Sequence, residues 1–423
     1  MANMDPKVAL DGRRGTPAGT LFGIAVVSVC AFTVLGLLAL GDPVPFAIGF
    51  GLGLLPVPLL LAGVLALDRL EPEPARYLVF AFAWGAGVAI ALGILIEVLL
   101  ATFVLEPLLG RADSKFFTST AVAPVVEESL KGMVLFGLLW FRRFELNGPT
   151  DGIVYAGMVG LGFATMENIV SYAAAADQGG ASLATVVVLR GVVTPFSHPA
   201  FTSLIGIGVA VAALARGSSR ILAPVAGWAA AVTLHALWNT LVLTSVSAFG
   251  IAYLVTLAVT IALVLVTVVD RKKIVALIAR YLPQYYADGV VTPGDIEVLS
   301  DLRARRYARA WAALTCGDRA RQAVSDYQRA ATELALLHRR QDRGVADPLW
   351  SEQRREGLLR LMRAARAQFP NEQDEMVPPW SGSGPPRFRS SAGGGGNPRL
   401  SPERLPDPTE PPDPPELPDE PGA

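Results

Sequence analysis

The feature that most constrains the fold is a series of apolar runs, each long enough to cross a lipid bilayer. A membrane-spanning helix needs about 20 apolar residues, and backbone groups inside a bilayer must be hydrogen-bonded within the protein. The runs are Leu21–Leu40, Val44–Leu67, Tyr77–Leu105, Ser119–Phe141, Gly152–Ala176, Gly191–Leu214, Ile221–Leu243 and Ala252–Val269. The sequence therefore predicts an all-α, polytopic membrane bundle of about eight transmembrane helices.

Positive charge is distributed unevenly between the connecting segments and predicts the orientation. With eight spans and a cytoplasmic N-terminus, twelve Lys and Arg residues face the cytoplasm and two or three face the other side. Such residues concentrate on the cytoplasmic side of a membrane, so we expect both termini there. The first run lacks an A-x-A cleavage site and is expected to be an uncleaved anchor. The high content of Ala, Arg and Gly suits a high-GC bacterium.

Composition divides the chain into four segments. The predicted divisions are a cytoplasmic N-terminal segment (1–20), a membrane core (21–269), a cytoplasmic helical domain (270–370) and a disordered tail (371–423). In the third segment, apolar residues recur at helical spacing in Pro293–Leu314 and Arg319–Arg340. The tail holds 14 of the 32 prolines and an acidic end, which is typical of disorder. A bare tail is favoured over one that binds a protein partner.

Polar side chains interrupt four consecutive spans, where they are costly and usually functional. They are Glu127, Glu128 and Lys131 in the fourth span, Glu167 and Asn168 in the fifth, His198 in the sixth, and His235 and Asn239 in the seventh. Counted from the predicted ends of the spans, Glu127, Glu128, Glu167, His198 and His235 lie roughly 10–14 Å below the outer surface. Pro195 and Pro199 are expected to break the sixth helix beside His198. We therefore expect one buried polar layer.

This set of side chains is suited to hydrolysis. A buried carboxylate can take a proton from water, a histidine can position that water, and an asparagine can donate to an oxyanion. Carboxylates and imidazoles are also ordinary zinc ligands, although the H-E-x-x-H motif of helical zinc proteases is absent. The alternative to a catalytic role is a purely structural one, in which these residues form contacts such as a salt bridge from Lys131 to one glutamate.

Two further classes of protein remain open on the residues alone. A transporter or proton relay also uses buried Glu and His, but the two halves of the chain show no inverted repeat of hydropathy. A membrane scaffold that recruits partners through its tail would leave the buried polar layer unexplained. No nucleic-acid motif is present, and no nucleic-acid partner is expected.

The ordered motifs resemble the PrsW family of bacterial intramembrane proteases, which is grouped with the CAAX prenyl endopeptidases. The matching stretches are EESLK at 127–131, GFATMEN at 162–168, the single His198 and HALWN at 235–239. The loop DRLEPEP at 68–74 is also similar, although a turn is its more economical interpretation. The resemblance spans about residues 45–245. It implies a protease that cuts membrane-associated proteins, such as anti-sigma-factor-like regulators.

Carried over by motif, the resemblance also implies the site residues. They are Glu127, Glu128, Glu167, His198, His235 and Asn239. One of the paired glutamates is the expected general base, His198 or Glu167 assists it, and His235 with Asn239 stabilises the oxyanion. A metal-dependent mechanism implies zinc on Glu167, His198 and His235, and a glutamate-type mechanism implies no cofactor. Arg190 is expected to be an interfacial anchor. The expected partners are a membrane-protein substrate and the lipid bilayer.

Overall fold

The computed structural model describes residues 17–70 and 72–369, and these are helical with no strand among them. The first helices are α1 (Pro17–Gly41), α2 (Pro43–Leu54), α3 (Val57–Leu67), α4 (Ala75–Trp84), α5 (Ile90–Leu100), α6 (Glu106–Leu109), α7 (Arg111–Phe117) and α8 (Ala123–Phe141). The others are α9 (Pro149–Asp177), α10 (Gly180–Val187), α11 (Ser197–Ala213), α12 (Ser219–Thr244), α13 (Val246–Tyr281), α14 (Pro293–Ser300), α15 (Leu302–Asp342) and α16 (Pro348–Arg366). The all-α prediction is confirmed, while the predicted disordered tail lies outside the described residues.

Six helical segments are long and apolar enough to cross a membrane. They are Pro43–Leu67, Ala75–Leu109, Pro149–Asp177, Gly180–Ala213, Ser219–Thr244 and Val246–Tyr285. They coincide with six of the predicted spans, which confirms a multi-pass membrane bundle. The last is much longer than predicted, because the helix continues past Asp270 into polar sequence.

The other two predicted spans are helical but differ in composition or length. The span predicted at Ser119–Phe141 is α8 with the preceding π-helical turn Thr118–Val122, and it carries three charged residues. The span predicted at Leu21–Leu40 falls in α1, whose apolar stretch Val26–Gly41 is shorter than the six. A total of eight spans therefore stays a prediction.

Helix α9 is the centre of the bundle, and most of its length is buried by α2, α4 and α11. Glycines allow these close contacts. A Cβ atom on Gly152 would lie 2.1 Å from the carbonyl oxygen of Gly206 in α11, and one on Gly162 would lie 2.0 Å from that of Phe82 in α4. Contacts between small residues are typical of helices packed in a membrane. They hold α9 in place as the scaffold of the bundle.

The connection between α10 and α11 is irregular. Helix α10 passes into a π-helical segment, Val188–Val193, and the chain leaves helical geometry at Thr194. Pro195 follows, and it has no N–H to continue a helix. The predicted break is therefore present, and it places His198 in the first turn of α11.

Described residues of the DRLEPEP stretch make structural contacts, and its Leu70 is buried in the same core as the C-terminal helices. The Asp68 carboxylate accepts from the Glu73 amide at 2.7 Å, and Glu73 accepts from the Tyr155 hydroxyl at 2.7 Å. Burial raises the pKa of Asp68 to about 7. The loop thus fixes the joint between α3 and α4 onto α9.

The C-terminal helical domain consists of α14, α15 and α16 packed onto the end of α13. The apolar residues predicted at helical spacing are all buried in its core, namely Val324, Tyr327, Ala331, Leu334 and Leu337. The helix predicted over Pro293–Leu314 is wrong in its bounds, since α14 ends at Ser300 and α15 begins after Asp301, which caps it. Helix α15 is itself interrupted at Gly317, where φ is 78°.

This domain holds the loop that joins α8 to α9. Arg340 donates to the Asn147 Oδ1 atom at 3.0 Å and to the carbonyl oxygens of Arg143, Phe144 and Leu146 at 3.1, 3.2 and 2.7 Å. The Phe144 ring packs on Trp350 of α16 with centroids 4.1 Å apart. The loop is therefore fixed from the domain side by both polar and aromatic contacts.

Candidate active site

Four helices bring the predicted polar residues together inside the bundle. Glu127 and Glu128 come from α8, Glu167 from α9, His198 from α11 and His235 from α12. Glu128 is fully buried, Glu127 is 8% exposed and His235 is 2% exposed. Helix α8 is held at this point by Trp84, whose indole N–H donates to the Leu130 carbonyl at 2.9 Å. Five of the six predicted site residues thus form one cluster.

Lys131 lies at the centre of this cluster and is fully buried. Its ammonium group is 3.0 Å from Glu127 Oε2, 2.9 Å from Glu128 Oε1 and 3.1 Å from His198 Nδ1. It also lies 3.7 Å from the centroid of the Phe163 ring. The lysine therefore contacts both glutamates at once and connects them to the histidine.

The two adjacent glutamates have different surroundings. Glu128 is contacted by Lys131, by the Thr202 hydroxyl at 3.0 Å and by His235 Nδ1 at 3.1 Å. Glu127 is hydrogen-bonded by Lys131 alone among the described residues, and His235 Nε2 lies 4.0 Å from its Oε2 atom. Glu128 is therefore fixed on several sides, whereas Glu127 has free acceptor capacity.

The hydrogen bonds of His235 determine which ring nitrogen carries the proton. A carboxylate only accepts, so the contact with Glu128 requires a proton on Nδ1. The neutral ring then has its lone pair on Nε2, the atom nearest to Glu127. The Phe201 ring stacks on His235 with centroids 4.9 Å apart and keeps its plane fixed. Glu127 and His235 Nε2 therefore present two acceptors to the same small space.

His198 connects the lysine to a second ion pair. Its Nε2 atom is 2.6 Å from Glu167 Oε2, and the same oxygen is 2.6 Å from the guanidinium of Arg190. Arg190 also donates to Asn168 Oδ1 at 3.0 Å. Arg190 was expected to be an interfacial anchor, but its side chain points to the cluster.

Asn239, the sixth predicted residue, lies apart from the carboxylates. It shares a helix face with His235, four residues earlier, but its Nδ2 atom donates to the Ser119 carbonyl at 2.8 Å. An amide group has a second N–H, which is left for another acceptor. Its predicted role in binding an oxyanion stays a prediction.

A set of four side chains could hold a metal ion. One ligand atom from each of Glu127, Glu128, His198 and His235 lies within 4.8 Å of the others. This set differs from the predicted one, since Glu167 is paired with Arg190 and is not a member. Two carboxylates and two imidazoles fit zinc by donor type. The ammonium group of Lys131 lies among the same atoms and would have to move away from them.

An open cavity of about 740 Å³ leads to the cluster from the side of the bundle opposite to the C-terminal domain. His198, Arg190 and Asn168 line its inner end. The rest of the wall is mainly apolar and includes Trp238 and Phe249. The cavity therefore connects an apolar surface of the bundle with the polar residues.

Sequence reasoning missed several members of the site. Thr202 and Phe201 occupy ordinary positions in an apolar helix, and only the fold brings them to Glu128 and His235. Glu97 in α5 is an acidic residue inside a span. Its presence there indicates a functional residue, although it was not among the predicted ones. Its carboxylate is close enough to interact electrostatically with Glu127 and Glu167.

Comparisons with known proteins agree with the motifs. Residues 73–268 match the family described as "PrsW family intramembrane metalloprotease". Protease PrsW of Clostridioides difficile (strain 630) is 34% identical to this chain, and the match covers 29% of this chain and 49% of the relative. Protease PrsW of Geobacillus kaustophilus (strain HTA426) is 28% identical, and the match covers 36% of this chain and 62% of the relative. The chain thus spans about half to three fifths of these relatives. No solved structure matches it.

Proposed function

We propose that residues 73–268, which match the PrsW family, form an intramembrane endoprotease that hydrolyses peptide bonds of membrane-associated proteins. The observation that carries this proposal is the pair Glu127 and His235 Nε2, two buried acceptors 4.0 Å apart inside a membrane bundle. A water molecule between them can donate one hydrogen to each. Its lone pair is then free to attack a carbonyl carbon.

Glu127 is our choice for the general base. A general base needs an unused lone pair at the water and a route for the proton. Glu127 has that capacity, while Glu128 uses its oxygens on Lys131, Thr202 and His235. Glu128 is therefore assigned the role of orienting His235 and keeping its proton on Nδ1.

The geometry suggests a change in one predicted role. His235 was expected to donate to the oxyanion, but with its proton on Nδ1 the Nε2 atom can only accept. We propose that His235 orients the attacking water instead. Asn239 retains one amide hydrogen for the oxyanion, since its other contact is to Ser119. The ammonium group of Lys131 is the proposed source of a proton for the leaving amine.

A metal ion is an additional component that this site can accommodate. Glu127, Glu128, His198 and His235 would hold it. When bound, zinc lowers the pKa of its water and polarises the scissile carbonyl. In either case the chain's own contribution includes His235 fixed by Glu128 and stacked on Phe201.

The 740 Å³ cavity is the proposed route for the substrate. Its apolar wall suits a polypeptide segment that leaves the lipid phase, and its inner end opens at His198. Anti-sigma-factor-like regulators are the expected substrate class. We further propose that both termini are cytoplasmic in a bacterial cell membrane, so that the cavity opens toward the outer leaflet.

The test is metal content and cleavage measured on the same purified sample. The protein in detergent is incubated, with and without chelator, with a library of peptides that carry transmembrane segments of about 20 residues, and bound zinc is measured by mass spectrometry. Chelator-resistant cleavage lost in Glu127→Gln indicates a glutamate mechanism. About one zinc per chain, lost together with activity in His235→Ala, indicates a metalloprotease.

The matched control is Glu106→Gln, because Glu106 is also a carboxylate in the membrane bundle, but among the described residues its ion pair is with exposed Arg111 at 3.8 Å. It should cleave at the wild-type rate. If no peptide in the library is cut under either condition, the proposed function is contradicted.

A further inference from the structure

We infer that Arg190 is a positioning residue for the proposed hydrolysis. By holding Glu167, Arg190 fixes His198 in one tautomer and one orientation. The inference rests on the proposed function for its catalytic meaning, but the contacts themselves are independent of it. Arg190 lies in the π-helical segment Val188–Val193, before the break that precedes α11.

Arg190 contacts two residues of α9 with its guanidinium group. One guanidinium nitrogen is 2.6 Å from Glu167 Oε2, and Nε donates to Asn168 Oδ1 at 3.0 Å. Two adjacent residues of α9 are thus held by one planar group. Arginine is suited to this task because its donors form a rigid fork, whereas lysine offers a single point charge.

The contact with Lys131 determines the tautomer of His198. The ammonium group of Lys131 is a donor with no lone pair, so His198 Nδ1 at 3.1 Å must accept from it. The ring proton is therefore on Nε2, which lies 2.6 Å from Glu167 Oε2. Arg190, Glu167, His198 and Lys131 form a continuous series of short polar contacts.

Loss of the Arg190 side chain would remove the ion pair of Glu167. Glu167 would then be a carboxylate inside the bundle whose remaining partner is His198. An unpaired buried charge is costly, so the Glu167 side chain would turn away from its present position. His198 would then lose the contact that holds its Nε2 side, and its Nδ1 contact with Lys131 would change as well.

The placement of Arg190 argues against a plain interfacial anchor. An anchor directs its charge toward the headgroups, but Arg190 lies at the inner end of the cavity beside His198. Its side chain is 32% exposed, and the residue is part of the cavity lining. A substrate segment in the cavity would therefore pass over the arginine on its way to Glu127.

The experiment combines kinetics with ¹⁵N NMR of the histidine rings. The chain has three histidines, so a protein labelled at histidine gives three imidazoles, and His338→Gln identifies the one in the C-terminal domain. The variants are Arg190→Gln and Arg190→Lys. Arg111→Gln is the control, since Arg111 is exposed and 3.8 Å from Glu106. Rates are measured on a peptide that the wild-type protein cleaves.

We expect Arg190→Gln to lower kcat by about 10- to 100-fold, the usual effect of losing a residue that orients a ligand or base. KM should change little, and the His198 ring signals should move while those of His338 stay in place. Arg190→Lys should recover part of kcat, since a lysine can hold Glu167 but not Asn168 as well. Arg111→Gln should match the wild type in both measurements.

Three outcomes overturn the inference. They are an unchanged kcat in Arg190→Gln, an effect on KM alone, and a loss of kcat with the His198 signals unmoved, since the last indicates only a structural ion pair. If Arg190→Gln does not fold, Arg190→Lys carries the same comparison. A wild-type protein that cleaves no peptide would contradict the proposed function, and the NMR comparison would still decide whether Arg190 controls His198.

Discussion

The close contact between α9 and the start of α11 gives the sharpest prediction about the site. Gly160 lies on α9 seven residues before Glu167, and therefore near the same helix face. A Cβ atom at Gly160 would lie 2.7 Å from both the His198 carbonyl oxygen and the Pro199 nitrogen. Both are backbone atoms, so no side-chain rotation can relieve the contact. Gly160→Ala must therefore push His198 away from α9.

The size of the displacement follows from the same distance. Ordinary contact begins at 3.4 Å, so the backbone at His198 must move by about 0.7 Å. A misplacement of about 1 Å can cost a factor of about 100 in rate, and we expect Gly160→Ala to lower kcat by about 10- to 100-fold. Overpacking costs about 1–3 kcal/mol, which the better helix propensity of alanine offsets by about 1 kcal/mol.

The control is Gly157→Ala on the same helix. Its Cβ atom would meet only the Val64 side chain, at 3.5 Å, which is ordinary contact. Cleavage of a peptide substrate and thermal unfolding in detergent are measured for both variants. The reasoning is refuted if Gly160→Ala cleaves within about threefold of the wild type, or if Gly157→Ala is slowed to the same degree.

Three further predictions concern stability. Thr202→Val removes a hydrogen bond to a buried carboxylate and should lower the free energy of unfolding by about 1.5–3 kcal/mol. The control Thr260→Val loses a hydrogen bond within its own helix, and it should change the free energy of unfolding little in the same thermal assay. Arg340→Ala should lower the free energy of unfolding by at least about 2 kcal/mol and should speed proteolysis of the α8–α9 loop. Replacing the exposed Arg343 with alanine should have neither effect. Burial raises the pKa of Glu145 from 4.5 to about 7, so the folded state holds its proton more tightly. Its contribution to stability is therefore full below pH 4.5 and lost as the pH rises to 7. A melting temperature whose pH slope is the same in Glu145→Gln would contradict this.

The membrane bundle could be predicted because its signal is local. Apolar runs of span length appear in any window of the sequence, and six of the predicted spans match helices with bounds within a few residues at most ends. The exceptions have physical causes. Helix α13 continues beyond the apolar run because its polar end packs on α15 of the C-terminal domain. Helix α16 went unpredicted because the charged residues on its outer face lower the average hydropathy of the segment.

The site was partly predictable for a different reason. Glu127, Glu128, His198 and His235 stand out because ionisable residues are rare inside spans. Residues whose role depends on a partner in another helix do not stand out. Arg190 resembles any arginine near a span end until the irregular segment before α11 turns it inward, and Thr202 resembles a hydroxyl that bonds its own helix. The contact of Asn239 with Ser119 also required the fold.

Lys131 explains why two adjacent glutamates are tolerated at this depth. A single carboxylate would be enough for a salt bridge, and the second would then be an unpaired buried charge, at a cost of several kcal/mol. Here one ammonium group contacts both carboxylates, and the Thr202 hydroxyl and the His235 ring satisfy what remains on Glu128. Of the two adjacent glutamates, Glu127 is left with spare acceptor capacity, and it faces the His235 ring nitrogen that also has a free lone pair. The polar groups that stabilise the cluster therefore also leave a place in it where a water molecule can be held and activated.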